Sequence, residues 1–351
     1  MKSNFVDRFG SKFKTWEFAL LAILILEFVV FGAVNPKFLN LSSLFSSVNN
    51  YISICIISLF VTFVMITGGI DIQASSIVGL TSIIIGVAWN DMGLSIWASV
   101  LLAVAIAALC GAISGFFVAY CNVQPMVVTL GGSFLYSGIA LLISTFSSTP
   151  AYVGISGFPA KSAEGVFSSF RLLGKWKLFD VIPIQFLIYV ALIVVCYILL
   201  HKSKYGRKVF LVGINRNTAE LSGINSRLII MSTYILTGIG AAIAGVLLTS
   251  TVDSAKSDLG STFTLSIITA VVLGGTLSTG GKGSIIGTAL ASLVICIMRF
   301  GLPLCFGVST QNLDLPIGFM LVAIIAGRAI SNRLKLSPHG HRRRLSAPKT
   351  Q

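Results

Sequence analysis

A glycine-rich segment, TLSTGGKG at 276–283, carries residue types that could bind a phosphate group. A nucleotide-binding phosphate loop needs glycine, four further residues and then glycine, lysine and a hydroxyl residue that holds magnesium. Thr276 occupies the position of the first glycine, and Gly283 occupies the position of the hydroxyl residue. Because the pattern fails at both ends and no acidic strand end of the Walker B type follows it, we predict that this chain does not hydrolyse ATP itself.

Histidine, cysteine and acidic residues could form a metal site or a hydrolytic site, but their spacing matches neither. The sequence has no HExxH motif, and its three histidines, at 201, 339 and 341, lie outside the apolar blocks. The six cysteines, at 55, 110, 121, 196, 296 and 305, have no CxxC or CxxxC spacing, which favours thiols buried in the core. We therefore expect no metal, no cofactor and no enzymatic activity.

Two acidic residues, Glu27 and Asp71, lie within or beside apolar blocks. A carrier driven by an ion gradient usually places several ionisable side chains inside its spans, because the ion needs ligands there. Two acids without a nearby lysine or histidine disfavour such a carrier, which stays the alternative function. Asp71 follows a glycine pair, where its carboxylate could hold a polar solute or cap the next helix through Ser75; capping is the simpler interpretation.

The composition predicts the class of protein to which these residues belong. Of the 351 residues, 55% are hydrophobic and 10% are charged, and the mean hydropathy is +0.93. Soluble domains carry about 25% charged residues, so the chain is predicted to be a polytopic membrane protein. The net charge of +14 comes mostly from the two tails and one central loop. Membrane topology and anionic lipids account for charge in those places, so no nucleic-acid partner is expected.

Apolar windows of about 20 residues, the length that crosses a bilayer, predict an all-α bundle of about ten transmembrane helices. The predicted spans are 17–34, 45–67, 72–89, 95–120, 126–145, 183–200, 228–250, 263–279, 284–301 and 314–330. Lysine and arginine concentrate in the segments that an inside N-terminus would place in the cytoplasm, so both termini are predicted to be cytoplasmic. The first span has no small-residue cleavage site and is expected to remain in the membrane.

These spans divide the chain into three regions. We expect a cytoplasmic tail at 1–16, a transmembrane domain at 17–330 and a basic cytoplasmic tail at 331–351. The transmembrane domain contains a long external loop at 146–182 and a polar cytoplasmic loop at 201–227. The external loop is too short for a separate domain, so we expect a partly ordered cap over the outer mouth.

Two glycine-rich breaks, TGGID at 67–71 and LGGTLSTGGKG at 273–283, interrupt the apolar blocks. Irregular backbone at membrane depth is tolerated only where protein buries it or where it lines a wet cavity. The breaks are therefore candidates for a translocation path, with these members: Gly68, Gly69, Asp71, Gly274 and Gly275. The alternative, that the glycines let helices pack closely, stays open. Each break precedes an S-x-x-G pattern, at 76–79 and 284–287, which is a weak sign of two related halves.

The cytoplasmic loop contains a polar, basic segment, YGRKVFLVGINRNTAELSGINSR at 205–227. Asn217 followed by Glu220 three residues later predicts a capped helix start, and Gly223 can take the left-handed turn that ends a helix. One short, stiff helix there is a candidate docking surface, formed by these residues: Asn215, Asn217, Ala219, Glu220, Ser222 and Gly223. A solvated connector with incidental caps is the alternative.

Three motifs in this order resemble the ribose-type permeases of bacterial ABC importers, and the resemblance extends over nearly the whole chain. They are TGGID at 67–71, GRKVFLVGINRNTAELSGI at 206–224 and AVVLGGTLSTGGKGSIIGTALASL at 270–293. Sugar permeases carry Glu and Asp before AVVLGG, whereas uncharged TLSII stands here. That difference, together with SAKSDLGSTF at 254–263, resembles the autoinducer-2 subgroup. Ile214 and Glu220 depart from the family pattern in the docking segment.

The resemblance implies a multi-pass permease of the bacterial inner membrane that imports a small polar, sugar-like solute, with autoinducer-2 as the expected one. It implies several partners: an ATP-binding cassette subunit, a homologous second permease, a periplasmic solute-binding protein and membrane lipids. ATP hydrolysis would take place on the cassette subunit, docked at the helix near 215–223. A secondary transporter coupled to an ion gradient is the alternative.

Overall fold

The computed structural model describes residues 16–147, 155–156, 165–309, 312–323 and 326. The N-terminal tail up to residue 15, the basic C-terminal tail, the end of the last expected span and much of the external loop lie outside the described residues. The expected cytoplasmic position of both termini therefore stays a prediction.

The described chain is built almost entirely from helices. In chain order they are α1 Trp16–Val34, α2 Leu41–Ile66, α3 Ala74–Asn90, α4 Ile96–Ala119, α5 Pro125–Phe146, α6 Gly165–Lys175, α7 Ile184–Tyr197, α8 Lys204–Ile214, α9 Arg216–Leu221, α10 Ser226–Val252, α11 Thr264–Leu273, α12 Ile285–Phe306 and α13 Asp314–Ala323. A 3₁₀ turn at Pro36–Leu39 follows α1, and a π-helical turn at Ile198–Lys202 extends α7. Among the described residues, short strands form two antiparallel pairs, β1 Ile155–Ser156 with β4 Ser254–Ala255 and β2 Lys177–Leu178 with β3 Ile182–Pro183.

The apolar helices correspond to the predicted spans. Seven are long enough to cross a bilayer, namely α1, α2, α4, α5, α10, α12 and α7 with its π-helical turn, and α3, α11 and α13 are shorter. The prediction of an all-helical polytopic membrane protein is confirmed. The largest difference in bounds is α11, which ends at Leu273 and not near residue 279. The glycine pair that follows Leu273 ends this helix early.

The helices α2 and α10 form the centre of the bundle. Every side chain of α2 at 52–66 is buried. Along α10, small residues let its backbone approach α4: a Cβ built on Gly238 would overlap the Ala107 carbonyl oxygen, and one on Gly111 would overlap the Tyr234 carbonyl oxygen. Close backbone contact through small residues is how helices associate inside a membrane, where lipid is as apolar as the side chains.

The outer helices expose apolar side chains. Leu101 on α4 and Phe134 and Phe146 on α5 are largely exposed, although they are large and apolar. Such a surface is unfavourable in water and favourable in hydrocarbon, so it fits the lipid-facing side of a membrane bundle.

The described part of the external loop folds onto one end of α10. The Ser250 hydroxyl donates a hydrogen bond to the Phe170 carbonyl oxygen of α6 at 2.6 Å. Asp253 forms ion pairs with Arg171 and Lys175. The β1–β4 pair ties the same loop to the chain that follows α10. The role of this loop as a cap over the outer mouth, outside the membrane, stays a prediction.

The chain between α10 and α11 runs back along α3 before the next helix begins. A Cβ built on Gly79 of α3 would overlap the Ser257 carbonyl oxygen, and one on Gly260 would lie 3.0 Å from the Ser75 carbonyl oxygen. The hydroxyl groups of Ser75 and Thr264 are 2.5 Å apart. The first turn of α11 therefore meets the first turn of α3.

Most cysteines follow the prediction of buried thiols. Four are buried, namely Cys55, Cys110, Cys196 and Cys296. Cys305 is partly buried, and Cys121 is exposed. Cys121 is the exception because it lies in the short connection between α4 and α5, just beyond the predicted span 95–120.

Candidate coupling and translocation site

The polar loop after α7 contains two helices, α8 and α9, and not the single short helix that was predicted. The hydroxyl of Ser203 accepts a hydrogen bond from the Gly206 amide at 3.0 Å and starts α8. Val209 and Val212 are buried, while Lys208 is exposed. This spacing of apolar and basic residues forms an amphipathic helix, a pattern that the prediction missed.

Helix α8 is anchored to α10 through a tyrosine. The hydroxyl groups of Tyr205 and Ser232 lie 2.8 Å apart. Burial raises the pKa of the Tyr205 phenol, whose hydrogen bond with Ser232 opposes the shift only in part. The phenol is therefore protonated at neutral pH and can share its hydrogen with Ser232.

The N-cap of α9 lies two residues before the predicted one. The Asn215 side chain accepts a hydrogen bond from the Thr218 amide at 3.0 Å, and Asn215 has the extended backbone of an N-cap. The prediction of Asn217 as the cap is wrong, because Asn217 lies inside the helix. Glu220 does not complete a capping box and pairs instead with Arg216 at 3.2 Å.

The end of α9 confirms the predicted role of Gly223. This glycine has a φ of +78°, and its amide donates to the Glu220 carbonyl oxygen at 3.0 Å. The next amide, of Ile224, donates to the Ala219 carbonyl oxygen at 3.0 Å. These two bonds define a Schellman motif, so α9 is stiffened at both ends.

The two faces of α9 differ from the expected docking surface. Ala219 is only 4% exposed and packs with Val118, Ile230 and other residues of the permease itself. The expectation that Ala219 faces a partner is wrong, because its small side chain seats α9 on the bundle. Leu221, which was not predicted, is 91% exposed on the outward side. An apolar side chain held this far into solvent suits a partner protein.

Arg216 holds α9 against the connection between α4 and α5. Its guanidinium donates to the Asn122 side-chain oxygen at 3.0 Å and to the Ala119 carbonyl oxygen at 3.1 Å. These two bonds and the ion pair with Glu220 use several N–H donors of the planar guanidinium group. Arg216 therefore attaches α9 to the connection between α4 and α5.

The end of α8 meets both glycine-rich breaks at one point, the helix-break junction. A Cβ built on Gly213 would overlap the Ile66 carbonyl oxygen and would lie 2.8 Å from the Gly281 amide nitrogen. The Gly281 amide itself donates to the Ile66 carbonyl oxygen at 2.8 Å. Gly280, with a φ of +87°, lies between Gly68 and Gly213. The junction joins α2, α8 and the loop after α11 by backbone contacts.

Both predicted breaks are helix ends of the same kind. Gly68 has a φ of +85° and Gly275 a φ of +100°. At the first, the Gly69 amide donates to the Val64 carbonyl oxygen at 3.1 Å, and at the second, the Thr276 amide donates to the Val271 carbonyl oxygen at 3.3 Å. Each glycine thus ends its helix in a Schellman motif.

The S-x-x-G patterns after the breaks do not form the same structure. Ser284 is the N-cap of α12, and its hydroxyl accepts from the Gly287 amide at 3.1 Å. Ser76 instead lies inside α3 and shares a hydrogen bond with Ser133 at 2.8 Å. The related-halves interpretation gains no support from these two serines.

The structure separates the five predicted path residues. Gly68 and Gly69 line a cavity of about 220 Å³ together with Thr67, Asn122, Val123, Gln124, Arg216, Tyr234 and three further residues. Asp71, two residues after Gly69, is buried, with only 2% of its surface exposed. Gly274 packs on α12, where an added Cβ would lie 2.5 Å from the Thr288 Cα atom. Gly274 therefore fits close packing, whereas Gly68 and Gly69 border a cavity.

Asp71 caps the chain before α3, though not through Ser75. Its carboxylate accepts a hydrogen bond from the Gln73 amide at 3.1 Å. The expected route through Ser75 is wrong, because the Ser75 hydroxyl bonds Thr264.

A buried polar cluster surrounds this cap. The Ser114 hydroxyl donates to the Gln73 side-chain oxygen at 2.7 Å, and it lies 3.3 Å from the Tyr136 hydroxyl. Within the described residues, three buried atoms near the first break have no hydrogen-bond partner: Asp71 Oδ2, Gln73 Nε2 and Tyr234 Oη. They offer an acceptor, a donor and a hydroxyl, which is the set that a hydroxyl-bearing solute can satisfy.

Four residues of the site escaped the sequence prediction: Gly213, Arg216, Leu221 and Tyr234. Gly213 had a usable signal, because glycine inside an amphipathic helix costs about 1 kcal/mol relative to alanine and so suggests a close backbone approach. Tyr234 lies in an apolar span where nothing in the spacing distinguishes it. In the described part of the chain, no three His, Cys, Asp or Glu residues cluster as a metal site.

Comparison with known proteins gives one family match and close relatives. The family described as "Branched-chain amino acid transport system / permease component" matches residues 43–325. The autoinducer 2 import system permease protein LsrD of Photorhabdus laumondii is 38% identical over 328 residues, which cover 93% of this chain and 94% of the relative. LsrD of Escherichia coli K12 is 39% identical over 316 residues, which cover 90% of this chain and 92% of the relative.

One solved structure also matches. It is a metal-chelate type ABC transporter in an inward-facing conformation, with a TM-score of 0.47, 14% identity, and coverage of 88% of this chain and 97% of that chain.

The family match spans most of the chain, and the two relatives match over nine-tenths of their own length. The resemblance to bacterial ABC importer permeases is confirmed. The chain therefore belongs to the permease family of branched-chain amino acid transport systems, as a multi-pass membrane component of a bacterial ABC importer that is not itself an ATPase.

Proposed function

We propose that this permease carries autoinducer-2, a small polar, sugar-like solute, across the bacterial inner membrane. Support for the solute comes from the relatives, which are autoinducer 2 import permeases with 38% and 39% identity over nine-tenths of this chain. The three unpartnered polar atoms near the first helix break supply hydrogen-bonding groups of the kind that a hydroxyl-rich solute needs. Gly68, Gly69 and Asp71 border the proposed path, while Gly274 and Gly275 shape the helix packing beside it.

The observation that carries the coupling mechanism is the contact of Gly213 with Ile66 and Gly281. Because α9 follows α8 directly, a partner that pushes α9 also moves the end of α8, and the junction passes that movement to both helix breaks. Capped at both ends, α9 resists bending. An ATP-binding cassette subunit is the proposed partner, and its contact is the outward face of α9: Asn217, Glu220, Leu221 and Ser222.

The remaining partners follow from the importer class. A homologous second permease would complete the translocation path, and a periplasmic solute-binding protein would deliver the solute to the outer end near α6. The polar loop at 201–227 is placed in the cytoplasm in this proposal, where the cassette subunit can reach it.

Uptake by the reconstituted transporter tests the function. Proteoliposomes would contain the permease pair and the cassette subunit, with labelled autoinducer-2 and the binding protein outside and ATP inside. We expect accumulation that requires both ATP and the binding protein. Accumulation driven by a sodium or proton gradient without ATP would instead favour the secondary transporter. ATP-dependent uptake of ribose but not of autoinducer-2 would keep the importer and reject the solute.

A further inference from the structure

The outward side of α8 carries a basic surface that the coupling mechanism does not use. This basic face consists of residues of α8, together with Lys202 just before the helix, and all of them are exposed: Lys202, Lys204, Arg207, Lys208, Leu211 and Ile214. Among the described residues, none of its four bases forms an ion pair. Two acidic residues of this chain have other partners: Glu17 accepts a hydrogen bond from Ser284, and Glu220 pairs with Arg216. The positive charge of this face is thus available to a negatively charged partner.

The inner side of α8 lies against the ends of three membrane-crossing helices. Gly206 packs directly on the Leu200 carbonyl group at the end of α7. Tyr205 is hydrogen-bonded to Ser232, in the second turn of α10. The far end of α8 contacts Ile66, the last residue of α2. A helix held at the level of these span ends lies at the edge of the bilayer, so its opposite side faces the headgroup layer.

Two exposed apolar residues distinguish the basic face from an ordinary solvated surface. Leu211 is 48% exposed and Ile214 is 69% exposed. They follow Arg207 by four and seven residues, so all three lie on one stripe of the helix. Apolar side chains beside long basic ones suit the boundary between headgroups and acyl chains, where the charged tips reach phosphate and the apolar groups leave water.

We propose that the basic face of α8 binds the headgroups of anionic phospholipids. The bases contact lipid phosphates, and Leu211 and Ile214 insert at the acyl boundary. A cluster of about four to eight bases next to a membrane span is the charge density that such binding requires. Bound lipid holds α8 at the membrane surface, so that a push on α9 moves the helix-break junction and does not lift α8 away from the bundle.

Lipid selectivity of the purified transporter tests this proposal without measuring transport. The complex would be equilibrated in micelles with equal amounts of phosphatidylglycerol and phosphatidylcholine, and the bound lipids would be quantified by mass spectrometry. The variant Lys204→Gln/Lys208→Gln removes two charges from one stripe of the face. We expect its preference for phosphatidylglycerol to fall about fivefold for each lysine removed, the factor that corresponds to about 1 kcal/mol per basic residue.

Two control variants test whether the positive charge at these positions causes the lipid preference. Lys204→Arg/Lys208→Arg keeps the charge and should keep the preference, and Lys37→Gln/Lys256→Gln removes two charges elsewhere and should also keep it. An equal preference in wild type and Lys204→Gln/Lys208→Gln would overturn the proposal. Loss of the cassette subunit from that variant, with unchanged lipid preference, would also overturn it, because the face would then bind the ATPase. Either result is independent of which solute is transported.

Discussion

Glycine has two different tasks in this molecule, and they predict different effects of substitution. Gly68, Gly223 and Gly275 have positive φ values and end helices. Gly213 lies inside α8 with ordinary helical backbone, and its task is to leave room for the Ile66 carbonyl group. A side chain at Gly213 is therefore excluded by the neighbouring helix and not by its own backbone.

Replacing Gly213 by alanine should separate α8 from the helix-break junction. The added Cβ meets two backbone groups that cannot rotate away, of Ile66 and Gly281. We expect a loss of about 1–3 kcal/mol in unfolding free energy, the usual cost of overpacking, and a stronger loss of solute uptake. Thermal unfolding in detergent and uptake by proteoliposomes measure the two effects.

Gly138→Ala is the matched control for that change. Gly138 lies within α5, and a Cβ added there meets no atom within 4 Å. Alanine should stabilise this helix by up to about 1 kcal/mol and leave uptake unchanged. Equal behaviour of the two alanine variants would show that the contact of Gly213 has no mechanical role.

Leu221 should contribute strongly to cassette binding despite its absence from the predicted docking set. The side chain is 91% exposed in the permease alone, so its replacement by glutamate costs the isolated chain little. Buried against a partner, an unpaired carboxylate would be unfavourable. We expect Leu221→Glu to weaken binding of the cassette subunit at least tenfold, or by about 1.4 kcal/mol.

The control for Leu221 is Met92→Glu, in the turn after α3. Met92 is 65% exposed and lies outside the polar loop. This change should leave copurification of the cassette subunit at the wild-type level. Wild-type binding by Leu221→Glu as well would place the docking surface on another element.

Two asparagines separate the structural cap of α9 from the predicted one. Asn215→Ala removes the acceptor for the Thr218 amide and should cost about 1 kcal/mol. Asn217→Ala changes an exposed helical position and should stabilise α9 by a few tenths of a kcal/mol, since alanine is the better helix former. Hydrogen exchange at the Thr218 amide reports the difference directly. Faster exchange in Asn217→Ala and not in Asn215→Ala would restore the original prediction.

The sequence predicts elements best where one physical signal dominates. Long apolar windows located the membrane helices, and the first glycine pair marked the end of α2, whereas the predicted span of α11 ran past its glycine pair to residue 279. The cap of α9 was misplaced because Asn217 and Glu220 have the spacing of a capping box, whereas in the folded chain Glu220 pairs with Arg216 and Asn215 is the cap. Helix α8 was missed because its basic residues resemble a solvated connector until Val209 and Val212 are seen to be buried.

Contacts between distant segments could not be predicted from the sequence. Nothing in the local pattern relates Gly213 to Ile66 or to Gly281, since these residues meet only after three helices have packed. The burial of Ala219 against Val118 is of the same kind. Residues that act through tertiary contacts can therefore be identified only in the folded structure, whereas helix ends and spans follow from the local sequence.

The architecture of the whole molecule connects a polar helix on one side of the membrane to two breaks within it. Helix α9 is joined to the α4–α5 connection by Arg216 and to the junction through α8. The centre of the bundle, α2 and α10, is closely packed and transmits displacement without much deformation. In the proposed mechanism, a push on α9 reaches the cavity beside Gly68 and Gly69.

This mechanism requires α9 and the α4–α5 connection to face the cytoplasm, and the chain carries its own probe of that orientation. Cys121 is the exposed cysteine among the described residues, and it lies in the α4–α5 connection beside Asn122, which holds Arg216 of α9. The partly buried Cys305 can be removed as Cys305→Ser. In that background, a membrane-impermeant maleimide should label Cys121 in inside-out vesicles and not in intact spheroplasts. Cys121→Ser/Met92→Cys in the same background should reverse the pattern, because Met92 follows one span fewer and is exposed. Labelling of Cys121 in intact spheroplasts would place α9 outside the cell, where no ATP-driven partner could reach it.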